Sequence, residues 1–85
     1  MVVIFDKIRE ILYKEFSFHH DQIQLQTKLE LELGMDSREM LEFLSQLEKI
    51  FKITINFDEI DQLMEKNEIL TVQTMVDYIN LKVSN

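Results

Sequence analysis

Eighty-five residues leave room for one core, since two independent ones need a longer chain. With 46% hydrophobic and 29% charged residues the composition is globular, and a net charge of −7 argues against nucleic acid or an anionic membrane surface, which need a cationic face. The absence of cysteine removes disulfides, thiolate metal sites and a Cys nucleophile together, and agrees with a reducing compartment.

The first element is an amphipathic helix over Val3–Phe16. Ile4, Phe5, Ile8, Ile11, Leu12 and Phe16 recur at three- and four-residue spacing, while Asp6, Lys7, Arg9, Glu10 and Lys14 take the other face. Residues 1–5 are apolar, but Asp6 interrupts a run too short for a signal-peptide core. No stretch approaches the ~20 apolar residues that span a bilayer. These features predict a soluble, cytoplasmic protein.

Residues 17–36 read as a long connection tied down by Phe18, Ile23, Leu25, Leu29, Leu31 and Leu33. Thr27-Lys28-Leu29-Glu30 has capping-box spacing, so a short helical turn is expected to begin at Thr27. The second helix runs over Ser37–Phe51. Its predicted buried stripe is Met40, Phe43, Leu44, Leu47, Ile50 and Phe51, and its outward face is Arg38, Leu41, Glu42, Ser45, Glu48 and Lys49. Asp36 and Glu39 have the spacing of a reciprocal cap, and Gly34 can take the positive φ that turns the chain into it.

Ile53-Thr54-Ile55 is too short for a sheet and reads as an extended connector. A short third helix is expected over residues 57–64, with Ile60, Leu63 and Met64 inward. Thr71 reads as the N-cap of the last helix, whose stripe is Val72, Met75, Val76, Ile79 and Val83. One glycine and no proline favour this all-α reading over hairpins. The predicted fold is a small four-helix bundle, three helices longer and one short, with a long packed loop between the first two.

Three constellations reduce to ordinary roles. His19-His20 reads as a pair of surface histidines, because adjacent side chains diverge and no further ligand pattern accompanies them. The run 56–61 is oxygen-rich but lacks the central glycine and the alternation of a calcium loop. The five methionines fall mostly at core-like positions. Ser37 differs. No histidine is placed beside it, which removes support for self-activated nucleophilic catalysis. An exposed hydroxyl at a helix start suits modification by another enzyme, and a phosphodiester there lies at the positive end of the helix dipole.

Residues 29–55, LELELGMDSREMLEFLSQLEKIFKITI, and residues 71–80, TVQTMVDYIN, resemble the acyl carrier protein family, and the resemblance spans nearly the whole chain. It implies a single acyl carrier domain over residues 1–85, free-standing and not itself an enzyme. It implies 4′-phosphopantetheine joined to Ser37 through a phosphodiester, with Asp36 as the motif acid, and acyl groups carried as thioesters on the arm's thiol. A phosphopantetheinyl transferase using coenzyme A and magnesium would load it. Acyl-transferring and synthase enzymes with basic patches would dock on Arg38, Leu41, Glu42, Ser45 and Glu48 and on the acidic Asp58, Glu59 and Asp61. A monomer is expected, with no nucleic acid or membrane partner and no metal ligands.

The family usually has Leu directly after the serine, where this chain has Arg38. The Gly34-Met35-Asp36-Ser37 stretch is also similar to polyketide carrier motifs. The leading reading is therefore a carrier in fatty acid or specialised, polyketide-like biosynthesis. A polyketide or nonribosomal peptide carrier and an unloaded carrier-like interaction subunit are the alternatives.

Overall fold

In a computed structural model, which describes residues 3–67 and 70–84, four α-helices enclose one apolar core. They are α1 (Val3–Phe16), α2 (Ser37–Phe51), α3 (Phe57–Asn67) and α4 (Val72–Ser84), with a single 3-10 turn at His20–Gln22. Met1 and Val2 of the apolar N-terminal run lie outside the described residues. Helix α1 packs against both α2 and α4. Its Ile8, Ile11 and Leu12 are buried, with Ile4, Phe5 and Phe16 at the margin, as the stripe predicts. It ends where Ser17 turns left-handed at φ 62° and Phe18 N–H reaches back to Leu12 O at 3.1 Å.

The connection between α1 and α2 is packed, but its anchors differ from the six expected. Ile23, Leu29 and Leu33 are buried, whereas Leu25 and Leu31 are 39% and 70% exposed. Leu29 and Leu33 stand four residues apart on a helical turn and face inward together; Leu31, between them, must face out. That turn starts one residue later than expected, with Glu32 N–H bonded to Lys28 O. Thr27 is not its cap: its buried hydroxyl accepts from Gln24 N–H at 2.8 Å and donates to Gln22 O at 3.1 Å, bracing the preceding loop.

Backbone bonds join this connection to α4. Val72 N–H and Gln73 N–H, unpaired donors of the first turn of α4, bond to Thr27 O and Leu25 O at 3.0 and 2.7 Å. Leu29 N–H bonds to Leu70 O, and Lys28 and Thr71 form an isolated antiparallel bridge. The loop therefore closes the end of α4 as well as covering the core.

In α2, Phe43, Leu44 and Leu47 are buried, with Met40 and Phe51 at the margin. Ile50 departs from the expected stripe and is 46% exposed. It borders a shallow groove against Lys7, Ile11 and Lys14 of α1, where Phe51 takes the inward position instead. The helix ends at Lys52, left-handed at φ 55°, with Ile53 N–H bonded to Glu48 O.

Helix α3 extends to Asn67, beyond the expected end at residue 64, because no glycine or proline stops it and Glu65 and Lys66 are good helix formers. Asn56 caps it by accepting from Asp58 N–H at 2.8 Å. Only Ile60 is buried among its described side chains; Leu63 and Met64 pack at the core margin. Thr71 caps α4 through Thr74 N–H at 3.2 Å. Helix α4 buries Val72, Met75, Tyr78 and Ile79, whereas Val83 is 46% exposed. Tyr78 did not figure in the predicted stripe. A radius of gyration of 11.8 Å agrees with the ~12 Å that one compact unit of this length requires.

Candidate functional site

Ser37 is the first residue of α2, and its position is set from both sides. Gly34, at φ +66°, reverses the chain out of the preceding turn. Asp36 is extended at φ −87° and ψ −179°, and its Oδ1 accepts from Glu39 N–H at 2.8 Å. Glu39 Oε1 accepts from Asp36 N–H at 3.2 Å, completing the reciprocal cap. Met35, buried beside this exposed pair, and Leu33 fasten the turn to the core. The hydroxyl is thus exposed on a fixed backbone.

Beside it lies an open cleft of about 430 Å³ between the start of α2 and α3. Met35, Met40, Leu41, Leu44, Ile60, Met64 and Leu70 make it mainly apolar, and Glu30, Asp36 and Ser37 stand among its lining residues. No histidine lines this cleft. The arrangement presents an exposed hydroxyl, and the titratable side chains among the lining residues are the carboxylates of Glu30 and Asp36.

The other residues picked out from the sequence fall on two surfaces. Arg38, Leu41, Glu42 and Ser45 are exposed on α2, with Arg38 Nε 3.5 Å from Glu42 Oε1. Glu48 is half-buried, and its Oε2 accepts from Ile55 N–H at 2.8 Å, so it holds the connector to α3. On α3, Asp58 and Asp61 are exposed. Glu59 is engaged within the chain: its Oε1 accepts from Tyr78 O–H at 3.0 Å and lies 2.8 Å from Lys82 Nζ. The hydrogen bond from Lys82, followed by that from Tyr78, holds the Glu59 carboxyl below its ordinary value. Burial, reinforced by the bond to Glu59, raises Tyr78; the bond to Glu59 raises Lys82. This three-residue cluster escaped the sequence reading, since the members come from two helices. The i,i+4 spacing of Tyr78 and Lys82 on one helix face was the available signal.

His19 and His20 are exposed, with His20 Nε2 3.6 Å from Glu10 Oε2 and its ring 4.7 Å from that of Tyr13. Among the described residues no three His, Asp or Glu side chains are grouped to hold a metal ion, and no helix is long and apolar enough to cross a membrane.

Residues 6–79 match the family model described as "Phosphopantetheine attachment site". The chain is 33% identical over 82 residues to the acyl carrier protein of Aster yellows witches'-broom phytoplasma, covering 96% of this chain and all of that one. Over 74 residues it is 32% identical to the acyl carrier protein of Chlorobium phaeovibrioides, covering 87% of each chain. Over 79 residues it is 24% identical to that of Campylobacter fetus, covering 93% of this chain and 95% of the other.

Proposed function

We propose a function from one premise: the chain belongs to the phosphopantetheine-attachment family, among its acyl carrier proteins. It is a carrier and not itself an enzyme, and its prosthetic group is a covalent 4′-phosphopantetheine. That group supplies a thiol for thioester carriage, which a chain without cysteine cannot supply itself.

Our reading assigns the attachment to Ser37, within a single carrier domain over residues 1–85. The observation that carries it is the exposed hydroxyl on the first residue of α2, held by the Asp36–Glu39 cap. On loading, the Ser37 oxygen takes the phosphopantetheinyl phosphorus of coenzyme A. The pyrophosphate O–P bond breaks, adenosine bisphosphate leaves, and the hydroxyl proton passes to a base of the transferase. The residues present suit the product. Its phosphate would meet the positive end of the α2 dipole, and Arg38 supplies a neighbouring cation. The Asp36 and Glu39 carboxylates are already engaged with backbone N–H groups.

Loading requires a phosphopantetheinyl transferase, and use requires acyl-transferring enzymes. We place their docking on the exposed α2 face at Arg38, Leu41, Glu42 and Ser45, continuing onto Asp58 and Asp61 of α3. Glu48 and Glu59 act there chiefly through the contacts they make inside the chain. The apolar cleft beside Ser37 favours an acyl cargo with a hydrocarbon portion. Arg38 in place of the family's usual Leu favours a specialised pathway over the general fatty-acid one. The test is intact mass after incubation with transferase, coenzyme A and magnesium. Wild type should gain one phosphopantetheinyl group and Ser37→Ala none. A wild type that gains nothing would mark an unloaded interaction subunit.

A further inference from the structure

We infer that the groove between α1 and α2 is a surface for self-association: two copies of the chain meet there about a two-fold axis, with α1 antiparallel to α1. The inference does not depend on what Ser37 carries. The monomer expected from the sequence is then one side of an equilibrium.

The groove is a shallow hollow of about 290 Å³ in which Ile11 and Ile50 lie among charged groups of α1. By spacing Ile50 belongs to the buried stripe of α2, yet 46% of it is exposed. The charges around it complement their own reverse. Lys7, Ile11 and Glu15 stand four residues apart, on one ridge of α1 with a cation at one end and a carboxylate at the other. Glu10 and Lys14 make the neighbouring ridge, with the signs exchanged. A half-turn about an axis near Ile11 sets Lys7 against Glu15 of the second copy and Glu10 against its Lys14. Each pair is made twice, as an isologous interface requires. The side chains are available for it: Lys7 and Glu15 are exposed, and those of Lys14 and Glu10 are 66% and 47% exposed. Lys14 Nζ already lies 3.5 Å from Glu10 Oε1 within one chain, so pairing across the axis closes a ring of four alternating charges.

Two chains of net charge −7 repel one another at long range. Helix α1 escapes this, because Lys7, Arg9 and Lys14 balance Asp6, Glu10 and Glu15. Two copies therefore meet through α1 without the repulsion that the acidic α3 would bring. The groove also shares no lining residue with the cleft beside Ser37. Ile50 stands about 20 Å along α2 from Ser37, at ~1.5 Å per residue. Both Ser37 hydroxyls stay open in the pair, which presents two of them on one particle.

Sedimentation equilibrium of the whole chain tests this. The weight-average mass should climb from 10.3 kDa toward twice that value as concentration rises over roughly 10 μM to 1 mM, the range of a small interface. Lys7→Glu sets a carboxylate against Glu15 on both sides of the axis and should weaken association roughly tenfold. Lys7→Glu combined with Glu15→Lys re-forms both pairs with reversed sign and should recover it to within about threefold, which a folding defect would not allow. Ile50→Asp, with its charge in the apolar part of the contact, should also weaken association roughly tenfold. Thermal melts at the lowest concentration check that each variant is folded. A mass fixed at one chain throughout would overturn the inference and leave the groove to a different protein. A dimer indifferent to Lys7→Glu and Ile50→Asp would overturn it too, since the copies would then meet through another face. So would a double exchange that recovers nothing of what Lys7→Glu loses.

Discussion

Asp36 combines two roles that substitution can separate. Its carboxylate caps α2 through Glu39 N–H, and our proposal makes it the acid of the attachment motif. Asp36→Ala should lose about 1 kcal/mol of stability in urea titration, the usual value of an N-cap. Asp36→Ser keeps a capping oxygen and should stay within about 0.5 kcal/mol of wild type while loading slows, if the carboxylate itself is read by the transferase. Gly34 makes a cleaner case. A Cβ there meets nothing within 4 Å, so Gly34→Ala carries only the conformational cost of φ +66°, about 1 kcal/mol, seen as a melting point lower by ~4–8 °C. Arg38 is 86% exposed with one loose partner, Glu42, and Arg38→Leu should change stability by less than about 0.5 kcal/mol. Its effect belongs in acyl-transfer kinetics: faster with a generic fatty-acid synthase, slower with a native partner that offers an acidic group to Arg38. Equal rates with every enzyme tried would leave that departure from the family motif without functional meaning.

At the scale of elements, the helices were legible because each carries its own signal. The α1 stripe, the Asp36–Glu39 cap and the Thr71 cap are local patterns, and the structure contains all three. What escaped was non-local. Nothing in residues 17–36 marks Leu25 O and Thr27 O as acceptors for α4, because a backbone carbonyl has no sequence signature. Leu31 read as core by composition alone, and its place between Leu29 and Leu33 on one turn put it outside. The Glu59 cluster pairs residues 19 apart in the chain, beyond any periodicity argument.

That cluster has a defined pH window. Glu59 is lowered from 4.5, so its contribution is present above the unfolded value and fades as pH falls through the lower folded one. Lys82 and Tyr78 are raised from 10.5 and 10.0, so theirs is present below those values and fades as pH rises past the higher folded ones. The stability difference between wild type and Glu59→Gln should therefore be widest near neutral pH and shrink toward both extremes in thermal melts. A difference constant from pH 3 to 11 would show that ionisation has no part in the cluster.

At the scale of the molecule, a net charge of −7 on a chain of 85 residues favours encounter with a basic partner. Exposed charges lose reach beyond a Debye length of ~8 Å at physiological ionic strength. Association with a basic partner should slow as salt rises, and Glu42→Lys should slow it further at low salt, both read by stopped-flow mixing. A rate indifferent to salt and to Glu42→Lys would remove electrostatic docking. Beneath all of this lies one chemical claim, that the carrier's arm hangs from the hydroxyl at the start of α2. The chain has four serines to choose from, Ser17, Ser37, Ser45 and Ser84. Fragment-ion mass spectrometry of the loaded protein locates the added group directly. Every fragment containing Ser37, and no fragment lacking it, should carry the phosphopantetheinyl mass; the added mass on a fragment holding only Ser17, Ser45 or Ser84 would contradict attachment at Ser37.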